Sequence, residues 1–403
     1  MANRCWRHVL WLTGAGVTDE RREAITRRRV VAVAVTVISL AALITLVQGL
    51  ASPSRGDLAV HHDRSTRARA SSHVSTSTRH QPPDGELRAG SDPSVLPGPV
   101  LIADRDNNRL LEVSPTGQVL WRFPEPGDLV PGQSFKLPDD AFYSPNGREV
   151  VVTQEDDFVI SVVDATHRRI VFRYGHPGVS GSEPGYLHNP DDALLTLGGA
   201  ILAADIKNCR LVVIRPPAHH LTHQLGETGN CTHELGVSYG SPNGAFPMTG
   251  GDTVVTEING DWIDVLGREG RPVTDTHPPG FSYPSDTNEL RLGVFLSVDY
   301  TDPGAIETFT AAGRLLWRYE PTGADALDQP SLALPLPNGD VLANDDKNDR
   351  VIVIDPHTNR IVWQYGHTHQ PGSRPGYLAN PDGVDLAPPY SLTMRFAHSL
   401  RAP

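Results

Sequence analysis

Two sets of polar residues recur along this chain at near-constant spacing, and they are the groups best placed to do chemistry. The first follows a proline, at Pro138-Asp139, Pro190-Asp191, Pro242-Asn243, Pro284-Ser285, Pro330-Ser331 and Pro381-Asp382, with intervals of 52, 52, 42, 46 and 51 residues. The second closes a short apolar run in each interval: Asp104, Gln154, Asp205, Glu257, Asp299 and Asp345. Carboxylates gathered around one axis attract cations over a distance, or coordinate a hard cation such as Ca2+ through oxygen. An axial calcium would sit at Asp139, Asp191 and Asp382, and calcium is the one cofactor the pattern suggests. The alternative for each acid taken singly is local, because Asp or Asn before a tight turn commonly bonds to nearby backbone. Two histidines add nucleophile, base or ligand chemistry: His176 and His367 each follow Tyr-Gly in twin segments 191 residues apart. His219, His220, His223 and His233 read as surface residues, with no zinc-protease motif among them. No Gly-x-Ser-x-Gly, phosphate loop or supported Cys/His dyad is present.

The elements that would carry these residues are short strands. Between Pro138 and Pro190 lie Asp139–Ser144, Glu149–Gln154 (EVVVTQ), Phe158–Asp164 (FVISVVD) and Arg169–Tyr174. They are rich in β-branched and aromatic residues and are separated by turn chemistry. Four strands every 48 residues or so is the period of a propeller blade. The first copy, from Pro99 to Phe123, lacks an innermost strand, and Asp382–Ala387 is an innermost strand with nothing after it. Joining the two closes an all-β, six-bladed β-propeller over about residues 97–390 and removes the exposed sheet edges of an open array. In such a blade, the loop entering the innermost strand and the loop between strands two and three emerge on one face. Both sets of polar residues are therefore expected at one mouth of the channel. The aromatic pairs Trp121/Phe123, Phe172/Tyr174, Trp317/Tyr319 and Trp363/Tyr365 are expected to pack between blades.

The chain carries 35 basic and 47 acidic side chains, a formal charge of −12. Residues 1–98 hold 13 and 8 of these, leaving 22 and 39 for residues 99–403. The excess acid therefore belongs to the propeller, and it argues against nucleic acid as a partner. Residues 30–51 are nearly all apolar, long enough to cross the ~30 Å hydrocarbon core as a helix. Five arginines precede them in residues 21–29, so the positive-inside rule puts residues 1–29 in the cytoplasm as a stub and the propeller outside. A cleaved signal peptide, giving a secreted protein, is the alternative. Residues 52–96 lack Phe, Trp and Tyr and read as a disordered linker; residues 391–403 read as a tail. Cys209 and Cys231 fall on the same expected face in an oxidising compartment, where a disulfide is expected and two free buried thiols are the alternative.

The glycine-rich connector, the hydrophobic strand and the ending Asp104…Asn107-Asn108-Arg109, repeated at Asp205…Asn208-Cys209-Arg210 and Asp345…Asn348-Asp349-Arg350, resemble the NHL repeat. Val163-Asp164…Ile170-Val171-Phe172 and Ile354-Asp355…Ile361-Val362-Trp363 are similar to the repeat of quinoprotein-like propellers, also found in bacterial arylsulfotransferases. The resemblance implies blades and leaves the chemistry open. The leading reading is a membrane-anchored extracytoplasmic module that binds an unidentified ligand or protein through its acidic loop face. The alternative is an arylsulfotransferase-like or NHL-lyase-like enzyme using His176 or His367, with a quinone-dependent dehydrogenase third.

Overall fold

A computed structural model describes residues 87–395. The expected membrane span at residues 30–51, the cytoplasmic stub, most of the linker and residues 396–403 lie outside the described residues. No helix among the described residues is long and apolar enough to cross a membrane.

Six antiparallel sheets of four strands make up the molecule, a six-bladed β-propeller whose strands we number β1–β24 in chain order. Blades two to six are each formed by consecutive strands. Blade one is composite: its order is β24-β1-β2-β3, with β24 (Pro381–Leu386) antiparallel to β1 (Val100–Asp104) and Ile102 opposite Val384. The C-terminal strand thus supplies the innermost strand that the first copy lacks, and ring closure pairs the inner edge of β1. Blade two shows how the sequence builds a unit. Its strands are β4 (Ala141–Tyr143), β5 (Glu149–Gln154), β6 (Val159–Asp164) and β7 (Arg169–Gly175). The two middle strands are buried almost without interruption, since both faces of a blade pack on neighbouring blades, and continuous Val/Ile runs suit that position.

Between blades one and two the core holds Leu101, Leu110, Phe123, Val150, Val152 and Val163, with Trp121 packed against it. Trp363 is fully buried between blades six and one, its indole N–H donating to the Pro115 carbonyl at 2.8 Å. The paired aromatics are therefore scaffold. On the axis, Phe142 of blade two meets Phe246 of blade four edge to face, 5.7 Å between ring centres, so the channel is filled below its mouth.

Both ends of the described chain extend the propeller beyond residues 97–390. Residues 87–96, expected in the linker, run along β23 (Arg360–Gly366): the N–H groups of Arg88 and Asp92 donate to the carbonyls of Gln364 and Val362 at 3.1 and 2.8 Å. They cover an outer edge that would otherwise be bare. At the other end a helical turn, α1 (Leu392–Arg395), bonds to three blades. Leu392 N–H donates to Asp385 of blade one, the Thr393 hydroxyl to the Tyr143 carbonyl of blade two, and Arg395 to the Leu290 carbonyl of blade five.

Candidate functional site: an acidic channel mouth

Four of the six innermost strands begin at their Pro-x pair and the other two, β4 and β20 (Ala333–Pro335), begin three residues after the proline, so the residue after each proline sits at the entrance of its innermost strand. Asp139, Asp191, Asn243, Ser285, Ser331 and Asp382 all line one cavity of about 140 Å³, together with Asp140, Glu155, Lys207 and Tyr300. The structure brings the first set together.

The second set is elsewhere. Asp104, Gln154, Asp205, Glu257, Asp299 and Asp345 do not line this cavity. Asp205 accepts from Arg210 Nε at 2.7 Å, Asn208 Nδ2 at 2.8 Å and the His188 N–H at 2.7 Å. Asp104 has the same three kinds of partner in Arg109, Asn107 and Ala379, and so does Asp345 in Arg350, Asn348 and Asp328. Asp299 accepts the N–H groups of Ser282 and Tyr283, and Gln154 donates to the Lys136 carbonyl. Each residue clamps the connector that arrives from the preceding blade, so the Asp…Asn-x-Arg motif is scaffold. The mouth is reached by the residue one place further on. Glu155, Ile206, Ile258 and Tyr300 line the cavity, while Arg105 and Asp346 bond to first-ring residues. Successive strand residues face opposite ways, and a misjudgement of one position swaps axis for clamp.

Arg105 is the main cation of the mouth. It pairs with Asp139, with Asp382 at 3.1 Å, with Asp156 at 2.6 Å and with Glu155 at 3.3 Å. Burial opposes the Asp382 anion, but Arg105 and hydrogen bonds from Asp139 and Asp346 hold its carboxyl below the usual range. Burial and the Asp382 charge push Asp139 well up, with Arg105 acting the other way. Lys207 contributes a second positive charge to the rim.

Asp140, Asp192 and Asp286 were missed by the sequence reading, although Pro-Asp-Asp at 138–140 and 190–192 was the available signal. Their carboxylates converge across the channel, with one oxygen from each within 4.8 Å of the others. All three are essentially inaccessible, and no N–H or hydroxyl reaches Oδ1 of Asp140 or either oxygen of Asp192. Burial first, then the neighbouring carboxylates, pushes Asp140, Asp191 and Asp192 well above the usual carboxylate range. Asp286 rises to about 6, chiefly by burial. Gly244 makes the convergence possible, because a Cβ there would lie 2.2 Å from Asp192 Oδ2 and 2.5 Å from Asp286 Oδ1.

The remaining expected residues occupy other places. His176 stacks on Tyr186 at 4.1 Å and His367 on Tyr377 at 4.2 Å, in equivalent connectors, and neither lines the mouth. Cys209 and Cys231 form a disulfide, with Cα atoms 5.1 Å apart. His219 stacks on Phe172, whereas His233 is drawn in among Glu257, Asp264 and Asp275 and is not a surface histidine.

No family model and no curated protein matches the chain. Solved structures resemble it. A protein of unknown function from Bacteroides caccae is 13% identical with a TM-score of 0.50, covering 72% of this chain and 98% of that one. A chain of a nidogen/laminin complex is 15% identical, with a TM-score of 0.49 and coverage of 72% and 98%. A chain of Kuenenia stuttgartiensis hydrazine synthase is 12% identical at a TM-score of 0.46, covering 70% and 80%. The first of these likenesses agrees with a β-propeller fold and goes no further.

Proposed function

We propose that this chain is a membrane-anchored, extracytoplasmic binding propeller that takes a hard divalent cation, calcium, at its channel mouth and presents the loaded rim to a partner. The carrying observation is the trio of buried acids Asp140, Asp192 and Asp286, in which Oδ1 of Asp140 and both oxygens of Asp192 meet no protein N–H or alcohol hydroxyl. A buried carboxylate without a donor is costly, and a hard cation with oxygen ligands removes that cost. The sequence reading set the cation at Asp139, Asp191 and Asp382. Arg105 already pairs with Asp139 and Asp382, which favours the next layer, with Asp191 as an upper ligand within reach of Asp139 and Asp140. Membrane attachment rests on residues 30–51 and the arginines before them.

Calcium titration of the chelator-treated chain, followed by thermal melting, tests the reading. Stabilisation should grow with concentration, reaching ~2.7 kcal/mol at a hundredfold excess over Kd. An unchanged melting temperature at millimolar calcium overturns it. Turnover of an aryl sulfate donor that disappears in His367→Ala would favour the enzyme alternative instead.

A further inference from the structure

The blade-four cluster around His233 lies in a different layer from the mouth, and its logic emerges from comparing the blades. In the clamps of blades one, three and six the buried acid faces an arginine across the second and third strands: Asp104 faces Arg109, Asp205 faces Arg210 and Asp345 faces Arg350. In blade four Glu257 faces Trp262. Two residues along the third strand, the outer strand supplies Arg122, Arg173, Gln224, Arg318 or Gln364 in the other five blades. Blade four has Asp275 there, directly opposite Asp264. Like charges placed opposite one another in an antiparallel pair are unfavourable. Blade four has thus lost its built-in cation and gained two carboxylates at the same place.

One basic group has moved in. His233 stacks flat on Trp262, 4.1 Å between rings at 11°, and sits two residues after the disulfide-bonded Cys231. Its Nδ1 lies 3.0 Å from Glu257 Oε1 and 3.8 Å from Asp264 Oδ1, and its Nε2 lies 3.3 Å from Asp275 Oδ2. Asp264 is wholly inaccessible, and no amide N–H or alcohol hydroxyl bonds to either of its oxygens; its neighbour is another acid, the Glu257 carboxyl. A single imidazole can neutralise only one of the three carboxylates.

The geometry points to a divalent transition-metal site of the zinc class, with His233 Nδ1, Glu257 and Asp264 as ligands. Tetrahedral zinc holds nitrogen and oxygen at ~2.0–2.2 Å. The three ligand atoms already lie within 4.8 Å of one another, so small side-chain rotations suffice. Asp275 accepts the Nε2 proton, which fixes the tautomer that turns the Nδ1 lone pair to the metal; carboxylate support of a ligating histidine is the usual outer-shell arrangement. Asp275 is a positioning residue, and the disulfide anchors the loop that carries His233. A mixed nitrogen and oxygen set distinguishes this site from the all-oxygen mouth, which suits calcium.

Zinc titration of the chelator-stripped full chain, by competition with a chromophoric chelator, tests the site. One tight equivalent is expected. His233→Gln and Asp264→Asn should each weaken it at least tenfold, and Asp275→Asn by ~10–100-fold. Asp192→Asn, in the layer next to the mouth, should leave it unchanged. Because Asp264 is buried, the half-exposed Asp275 provides the variant least able to disturb folding, and circular dichroism checks all of them. Cobalt loading supplies an independent readout, a visible d–d spectrum that changes in His233→Gln. Wild-type zinc affinity more than about 100-fold weaker than that of the competitor, or affinity unaltered in both His233→Gln and Asp275→Asn, overturns the proposal. Zinc binding abolished by Asp192→Asn alone would reassign the metal to the mouth and also overturn it.

Discussion

Asp205 in a clamp and Asp192 in the layer next to the mouth are both fully buried carboxylates of the same blade, and they are treated in opposite ways. Burial pushes each up, but Asn208, the His188 N–H and Arg210 pull Asp205 back, while Asp192 faces Asp286, Asp140 and Asp191. The clamp is complete within the protein. The mouth is incomplete, and its missing positive charge must come from protons or from an external cation. A buried acid marks structure when its donors are built in and marks a ligand when they are not.

The largest test of this contrast removes a clamp. Asp345→Ala leaves Arg350 buried without its partner and should cost ~3–5 kcal/mol in urea unfolding. A loss below about 1 kcal/mol would show that the clamp is not holding the connector. The same chemistry at the mouth should act with the opposite sign. In chelator, Asp192→Asn removes a buried like charge and should leave stability equal or higher, yet it should abolish the calcium-dependent gain of ~2.7 kcal/mol expected at a hundredfold excess over Kd. An Asp192→Asn variant that is destabilised in chelator and still responds to calcium would erase the contrast.

Proton linkage gives a smaller effect. Asp286 titrates at about 6 in the folded chain against an ordinary 3.8. The folded state therefore keeps a proton that the unfolded state releases. The stability this contributes is fully present below about pH 4 and is lost as pH rises through about 6. Unfolding free energy of the chelated protein, measured from about pH 4.5 to about pH 7.5, should fall with pH, and the slope should flatten in Asp286→Asn. A slope unchanged by that substitution would remove Asp286 from the linkage. The smallest effect belongs to the connector histidines: His176→Ala loses the stack on Tyr186, worth ~0.5–1.5 kcal/mol, without changing any cation titration.

Much of the architecture was legible in the chain because it depends on period and composition. The Pro-x spacing set the blade length, the Val/Ile runs marked strands buried on both faces, and the unpaired Asp382–Ala387 implied the closure that the pairing of β24 with β1 realises. The candidate site was half legible. The first ring follows from position alone, since every innermost strand starts at its proline or three residues after it. The second ring was displaced by one residue: Asp104, Asp205 and Asp345 turned out to be clamps, and Arg105, Glu155 and Asp346 reach the mouth. In a short strand-to-turn segment nothing in composition says which of two adjacent polar residues faces the axis.

The sequence by itself determined the repeat, the blade count and the closing strand, because local propensity and period act over a few residues. Only the tertiary structure decided which acids meet. Asp192 and Asp286 belong to different blades and converge over Gly244, and His233 finds Asp264 and Asp275 across a connector and a sheet. Charge–charge encounters between blades depend on distances in space, which closing the ring sets and the order of residues does not express.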